Sequence, residues 1–297
     1  LNIPADDLLK KLDQLFSILL AKRNERIRPG LDDKILSGWN GLMITALCKS
    51  YAALGHDKYL ELAESAIAFI EEKMMNDDGS FTHSYKIKKQ AQSAFLDDCA
   101  SLLEAYIHLQ EATGNEAYLI KARSLAEFII NHFSDEVSDL FFYTPDNQGD
   151  VIVRKKEIYD GATPSGNAQM VFALAYMGIV FDKGEWISRS AAMLKEAGNM
   201  IVKYPGSFAY WATSLYRMVL PAYEIAVIGE DFKPMLKELL NEYIPHRIVQ
   251  SAVVANDSFP LLKGKSGDSG NPLIYLCSNY SCRKPVKTIT ELMESMG

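Results

Sequence analysis

The sequence predicts a mainly α protein: an α/α toroid of repeated helical hairpins over residues 1–220, followed by a small α/β unit over residues 221–297. Three observations carry that reading. An enclosed, apolar helix is followed by an amphipathic one three times in succession, and an Asp–Asn pair with one fixed spacing recurs at helix starts. Beyond Leu220 the periodicity shifts toward short strands.

The first hairpin pairs Trp39–Leu54, whose only charge is Lys49, with Lys58–Met74. An uncharged helix of that kind is expected to be covered on all sides. Its partner places Tyr59, Leu62, Ala63, Ala66, Phe69 and Ile70 on one face and glutamates on the other. The second hairpin pairs the mostly apolar Leu96–Leu109 with Tyr118–His132, and the third pairs the uncharged Ser165–Phe181 with Trp186–Ile201. Inner helices ringed by outer ones are the sequence signature of a toroid. A further inner-type helix, Phe208–Leu220, ends the series, and an opening helix, Ala5–Lys22, precedes it.

The links have turn and strand character. "NDDGSFTHSY" follows the first hairpin, and "SDLFFYTPDNQGDVIVRK" reads as two short strands about "PDNQGD". After the linker residue Pro221, "YEIAVIG", "RIVQSAVVA" and "PLIYLCSN" read as strands. "DFKPMLKELLNEY" reads as a helix capped by Asp231, and a short helix begins at Thr288.

With 31 basic against 38 acidic side chains the net charge is −7, and like charges form no long block. Nucleic acid and anionic membranes are therefore not expected as principal partners. No apolar run reaches the roughly 18–20 residues without charge of a membrane helix, although Ser165–Phe181 comes close. The chain starts with Leu and carries no signal peptide, which predicts a processed product or a piece of a longer protein. Four scattered cysteines do not make a secreted disulfide framework, so a reducing, cytoplasmic setting is expected. No cofactor is expected. No histidine shows metal-ligand spacing, and Cys277 and Cys282 are too isolated for a zinc site.

The corners carry the candidate chemistry. Asp33 precedes Asn40 by seven residues, as Asp160 precedes Asn167, and Asp97 and Asp98 open the helix between them. An Asp there accepts hydrogen bonds from free backbone N–H groups, a purely structural role worth about 1 kcal/mol. In "LDDK" and "LDDC", however, only one Asp of each pair can cap. If the hairpins share an axis, the spare carboxylates converge, and like charges raise one pKa into a range useful for proton transfer. Trp39, Tyr85, Tyr143 and Tyr159 lie in the same corners, together with His83 on an inter-hairpin link and Arg28 near Asp32 and Asp33. Trp39 can fill the core or serve as a stacking surface. Arg28 can pair with the acids or grip an anionic group.

"RIRPGLDDKILSGWNGLMITAL", "FLDDCASLLEA", "YDGATPSGNA" and "YLCSNYSCRKPV" together resemble the C-terminal region of the spermatogenesis-associated, thioredoxin-domain proteins, in the same order and over nearly the whole chain. The resemblance implies a six-hairpin-glycosidase-like toroid related to the N-acylglucosamine 2-epimerases, and a thioredoxin-like domain ahead of it as partner in the full-length protein. The CxxC-type motif of that domain is absent from this sequence, and the hairpins are too few to close a six-hairpin ring. A carbohydrate ligand follows as an expectation. Asp98, Asp33, Asp160 and His83 are then the candidate acid/base groups, and Trp39, Asn40, Asp97, Asn167, Tyr85 and Arg28 the candidate sugar contacts. The alternative is a non-catalytic sugar-binding or interaction module.

Overall fold

A computed structural model describes residues 3–86, 92–149, 151–220, 222–268, 271–278 and 281–296. Pro221, read above as a linker, and Asp150, at the end of the "PDNQGD" turn, lie outside the described residues. The chain divides into two compact units, Leu1–Lys34 and Ile35–Gly297. The first holds α1 (Ala5–Asn24), with Asp6 and Asp7 in its first turn and Lys22 and Arg23 in its last, each matched to the helix dipole. None of its side chains is buried.

The second unit begins with β1 (Ile35–Leu36), α2 (Ser37–Leu54), α3 (Asp57–Met74) and β2 (Ser84–Tyr85), which pairs antiparallel with β1. It continues through α4 (Leu96–Thr113), α5 (Glu116–Phe133), α6 (Gly166–Val180), α7 (Gly184–Lys203) and α8 (Ala209–Val219). Helices α2, α4, α6 and α8 pack successively as an arc of inner helices, each of the first three followed in the chain by an outer one. The burial follows the sequence pattern: α4 and α6 are enclosed on almost every face, whereas α5 and α7 bury a single stripe. Each fully buried Leu or Phe there contributes about 1.5–3 kcal/mol. Gly55 and Gly114 end α2 and α4 in the left-handed conformation (φ 68° and 70°), and their N–H groups close the last turns on Tyr51 and Gln110.

Two expectations are corrected. Helix α2 is not covered all round: Trp39, Met43 and Leu54 are exposed, because α4 is the one inner helix packed beside it among the described residues. The link over residues 138–155 forms no strand among its described residues. Its two arms meet where Tyr143 N–H donates to Lys155 O at 2.7 Å.

After α8 the chain turns to β3 (Tyr223–Ile228), α9 (Phe232–Asn241), β4 (Arg247–Ala252), β5 (Leu273–Ser278), β6 (Ser281–Cys282) and α10 (Ile289–Met296). The sheet order is β4-β3-β5-β6, with β3 and β4 parallel across α9 and the other pairs antiparallel. Asp231 occupies the N-cap position of α9 but caps nothing through its side chain. Helix α9 packs on α2 and α4, and β4 packs on α4. Cys277 and Cys282 are joined as a disulfide across β5 and β6. Among the described residues no helix is long and apolar enough to cross a membrane.

Glycines set the spacing of the inner helices. A Cβ on Gly41 would lie 2.7 Å from the backbone carbon of Ser101 on α4, and one on Gly166 would lie 2.8 Å from the Asp97 nitrogen. Neither backbone can yield locally. Gly41→Ala is therefore expected to destabilise the fold by about 2 kcal/mol in chemical denaturation. Gly184→Ala, where nothing lies within 4 Å, should change stability by under about 1 kcal/mol.

Candidate functional site

The first turns of α2, α4, α6 and α8 are tied by two carboxylates. Asp98, 3% exposed, accepts from Gly38 N–H of α2 at 3.0 Å through Oδ1, and from Phe95 N–H at 2.9 Å through Oδ2. His83 Nδ1 lies 2.7 Å from the same Oδ2. Asp160 repeats the arrangement: Oδ1 accepts from Ser165 N–H at 3.0 Å at the start of α6, and Oδ2 from Tyr210 N–H at 2.8 Å at the start of α8. Each aspartate thus caps two neighbouring inner helices, which a local N-cap does not do.

Asp33, the acid expected to cap α2, does not. The strand Ile35–Leu36 intervenes, Leu36 occupies the cap position, and Asp98, sixty residues downstream, supplies the bond. Asp33 and Arg28 are exposed in the first unit, where Arg28 donates to Asn24 Oδ1 at 2.6 Å and Lys34 pairs with Asp32 at 3.2 Å. The expected pairing of Asn40 with Asn167 also separates into two roles. Asn167 is fully buried, and its amide holds Phe141 N–H, Phe141 O and Glu157 O at 2.8–2.9 Å, clamping the link onto α6. Asn40 donates to Leu36 O at 2.8 Å and stays partly exposed.

Asp97 differs from its neighbour. It sits in the same first turn, with Gly166 of α6 packed on its backbone. Burial, then the adjacent Asp98 charge, raises its carboxyl above the ordinary value. Its Oδ1 is buried and has no hydrogen-bond partner among the described residues. Tyr143 faces it: burial, then the charges of Asp97 and Asp98 and a hydrogen bond to Asp97, push that phenol up. The Tyr143 ring stacks on Phe95 at 4.8 Å, and Phe95 lies 5.0 Å from the His83 ring. Trp39, one residue from Gly38, is 68% exposed. Tyr85 is half-buried edge-on against Phe69, and Tyr159 is exposed beside Phe208.

Sequence reading missed what lies behind this corner. Asp97, Ser101, Glu104, His108 and Glu111 recur at helical spacing and form one polar seam along α4. Ser101 Oγ donates to Gln169 Oε1 at 3.1 Å, Gln169 Nε2 to Glu104 Oε2 at 3.3 Å, and Tyr210 Oη to Glu104 Oε1 at 2.5 Å. His108 lies 3.7 Å from Glu104 and 3.3 Å from Glu111, and Glu111 also accepts from Tyr176 Oη at 2.9 Å. Burial pushes the Glu104 carboxyl up, but His108, Lys49 and Tyr210 outweigh it and hold the acid below its ordinary value. The spacing was legible, but an apolar average over the helix concealed it. Among the described residues no group of three or more His, Cys, Asp or Glu side chains is placed to hold a metal ion.

An arc of inner helices, the first three each followed by an outer one, belongs to a six-hairpin-glycosidase-like α/α toroid fold. The GH76 α-mannanase BT2949 of Bacteroides thetaiotaomicron superposes with a TM-score of 0.50 at 15% identity, over 77% of this chain and 66% of that one. The cellobiose 2-epimerase of Bacillus thermoamylovorans matches with a TM-score of 0.45 at 12% identity, over 56% and 45%. In sequence, the chain is homologous to human spermatogenesis-associated protein 20, with 24% identity over 92% of this chain and 37% of the relative. An uncharacterised Caenorhabditis elegans protein is 28% identical over 99% of this chain and 42% of the relative. The chain thus spans about two fifths of the length of these curated relatives. No family model matches the sequence.

The corner acids separate by experiment. Asp98→Ala leaves buried N–H groups on two helices without an acceptor and should cost about 3 kcal/mol. Asp97→Asn should stabilise instead, with a particular pH dependence. The folded-state pKa of Asp97 is raised, so the folded state binds the proton more tightly and ionisation costs stability as pH rises from 3.8 through the folded value. The advantage of Asp97→Asn should be absent below that window and constant above it, as measured by denaturation from pH 3 to 8.

Proposed function

We propose that this chain is the carbohydrate-processing part of a longer protein, performing acid–base chemistry on a sugar at the N-terminal mouth of its inner helices. The observation that carries the reading is Asp97: a half-buried carboxyl with a raised pKa and an unbonded oxygen, in the corner where neighbouring helices converge. Such an acid holds its proton more tightly than an ordinary carboxyl and can donate it to a glycosidic or ring oxygen. Asp98 is the positioning residue, fixing His83 in place, and His83 is the second proton-transfer group. Trp39 offers a flat exposed ring for stacking on a sugar face, with Asn40 beside it for a hydroxyl. Asp160 and Asn167 contribute by holding α6 and α8. The α-mannanase and epimerase names of the structural neighbours agree with a sugar ligand. A thioredoxin-like domain earlier in the longer protein is the proposed partner.

A second reading is favoured by one observation: Asp98 and Asp160 both engage backbone N–H groups through each of their oxygens, as in a pure scaffold. On that reading the corner binds a sugar without turning it over.

A thermal-shift screen against mannose, α-mannobiose, cellobiose and N-acetylglucosamine, with product analysis of each, separates the two. The enzyme reading expects a stabilising sugar, turnover that Asp97→Asn reduces by about 100-fold or more without loss of melting temperature, and weaker binding in Trp39→Ala. Binding without turnover would leave the module reading. Stabilisation by no sugar would remove both.

A further inference from the structure

At the opposite end of the inner helices lies a cavity of about 1070 Å³, bounded by the C-terminal halves of α2, α4, α6 and α8 and by the chain between α9 and β4. Its volume matches the upper range of small-molecule sites. Most of its wall is apolar, including Phe172, Ile179, Leu220 and Ile244. Three polar groups on that wall lack the partners that buried groups normally have. Ser214 is 4% exposed, and its Oγ has no hydrogen-bond partner among the described residues. The same holds for His246 Nδ1. Arg217 makes no hydrogen bond or ion pair among the described residues; its guanidinium lies over the Phe172 ring, 4.5 Å from the centroid.

These groups are neighbours. Ser214 and Arg217 stand three residues apart on one face of α8. Both Arg217 and His246 line the cavity, and burial and then the Arg217 charge lower the His246 pKa. His246 is held at φ 57°, in the left-handed region, as are Asp182 and Asp231. Glu224 and Glu242 also line the wall, and three further charges there have partners. Arg247 donates to the carbonyls of Leu239, Leu240 and Glu242, Glu111 accepts from Tyr176 and Val249, and Lys49 lies 4.0 Å from Glu104.

We propose that this cavity binds an organic anion, whose apolar body lies against Phe172, Ile179 and Ile244 and whose carboxylate or phosphate takes the Arg217 guanidinium and the Ser214 hydroxyl. A planar fork of donors suits either head group. The site shares no residue with the acidic corner and stands or falls apart from the sugar-processing reading.

The test is titration calorimetry on the 297-residue chain with decanoate and decyl phosphate, against 1-decanol and inorganic phosphate. Saturable one-to-one binding of at least one amphipathic anion is expected, with decanol and inorganic phosphate each about tenfold weaker or more. Whichever anion binds more tightly identifies the head group. Arg217→Gln should weaken the anion about tenfold while leaving decanol unchanged, and Ala175→Trp, which fills the cavity, should abolish binding of both. Should Arg217→Gln fail to fold, Arg217→Lys keeps the charge without the fork and should give a smaller loss. Absence of binding by both anions, equal binding of decanol or of inorganic phosphate, or indifference to both Arg217 substitutions would overturn the proposal.

Discussion

The arrangement of this molecule depends on carboxylates that cap two helices at once. A local N-cap satisfies one helix and says nothing about its neighbour. Asp98 instead divides its oxygens between the first turns of α2 and α4, and Asp160 between those of α6 and α8. The free N–H groups of parallel helix ends repel one another as partial positive charges, and a shared anion turns that repulsion into a bond. Glycine makes the sharing possible. Only at Gly38, where a Cβ would lie 2.6 Å from Asp98 Oδ1, can the backbone of α2 approach the acid closely enough.

That constraint explains why Asp97 has unusual chemistry. With Asp98 committed to backbone groups, the adjacent carboxyl is left in a half-buried turn beside a charge, with one oxygen unpartnered among the described residues. The fold therefore raises one acid as a by-product of fixing another. A structural role and a chemical role are distributed over two consecutive residues, and neither is understood without its neighbour.

Much of this was legible in the sequence. The inner and outer helices follow from their charge patterns, and the strands of the last quarter from their β-branched runs, because both signals are local. Of the two doubled aspartates, Asp97–Asp98 lies where the first turns of α2 and α4 are bonded, whereas Asp32–Asp33 lies in the first unit. What sequence could not supply was the division of labour within it. Capping in trans from Asp98 to Gly38 has no local signature, so Asp33 attracted the assignment that a residue sixty positions away performs. The offset joining Asn40 to Asn167 was real as spacing, but burial differs: one lies on the open flank of α2, the other beneath a link that wraps α6. The polar seam of α4 was present as a five-residue pattern, yet its partners Gln169, Tyr176 and Tyr210 come from other helices.

The parallel inner helices also sort charge between their two ends. Their N-termini collect Asp97, Asp98 and Asp160, while Arg217 stands in the last turn of α8, as the helix dipole favours. A dipole asks only for the charge of Arg217 and uses none of the guanidinium's five donors. Those donors face a wall where Ser214 Oγ and His246 Nδ1 also have no partner among the described residues. Between the two ends, Glu104, His108 and Glu111 form a buried run of close polar contacts along α4. A single polarity, set by helix direction, thus places the carboxylates of Asp97, Asp98 and Asp160 at one end of the inner helices and the Arg217 guanidinium at the other.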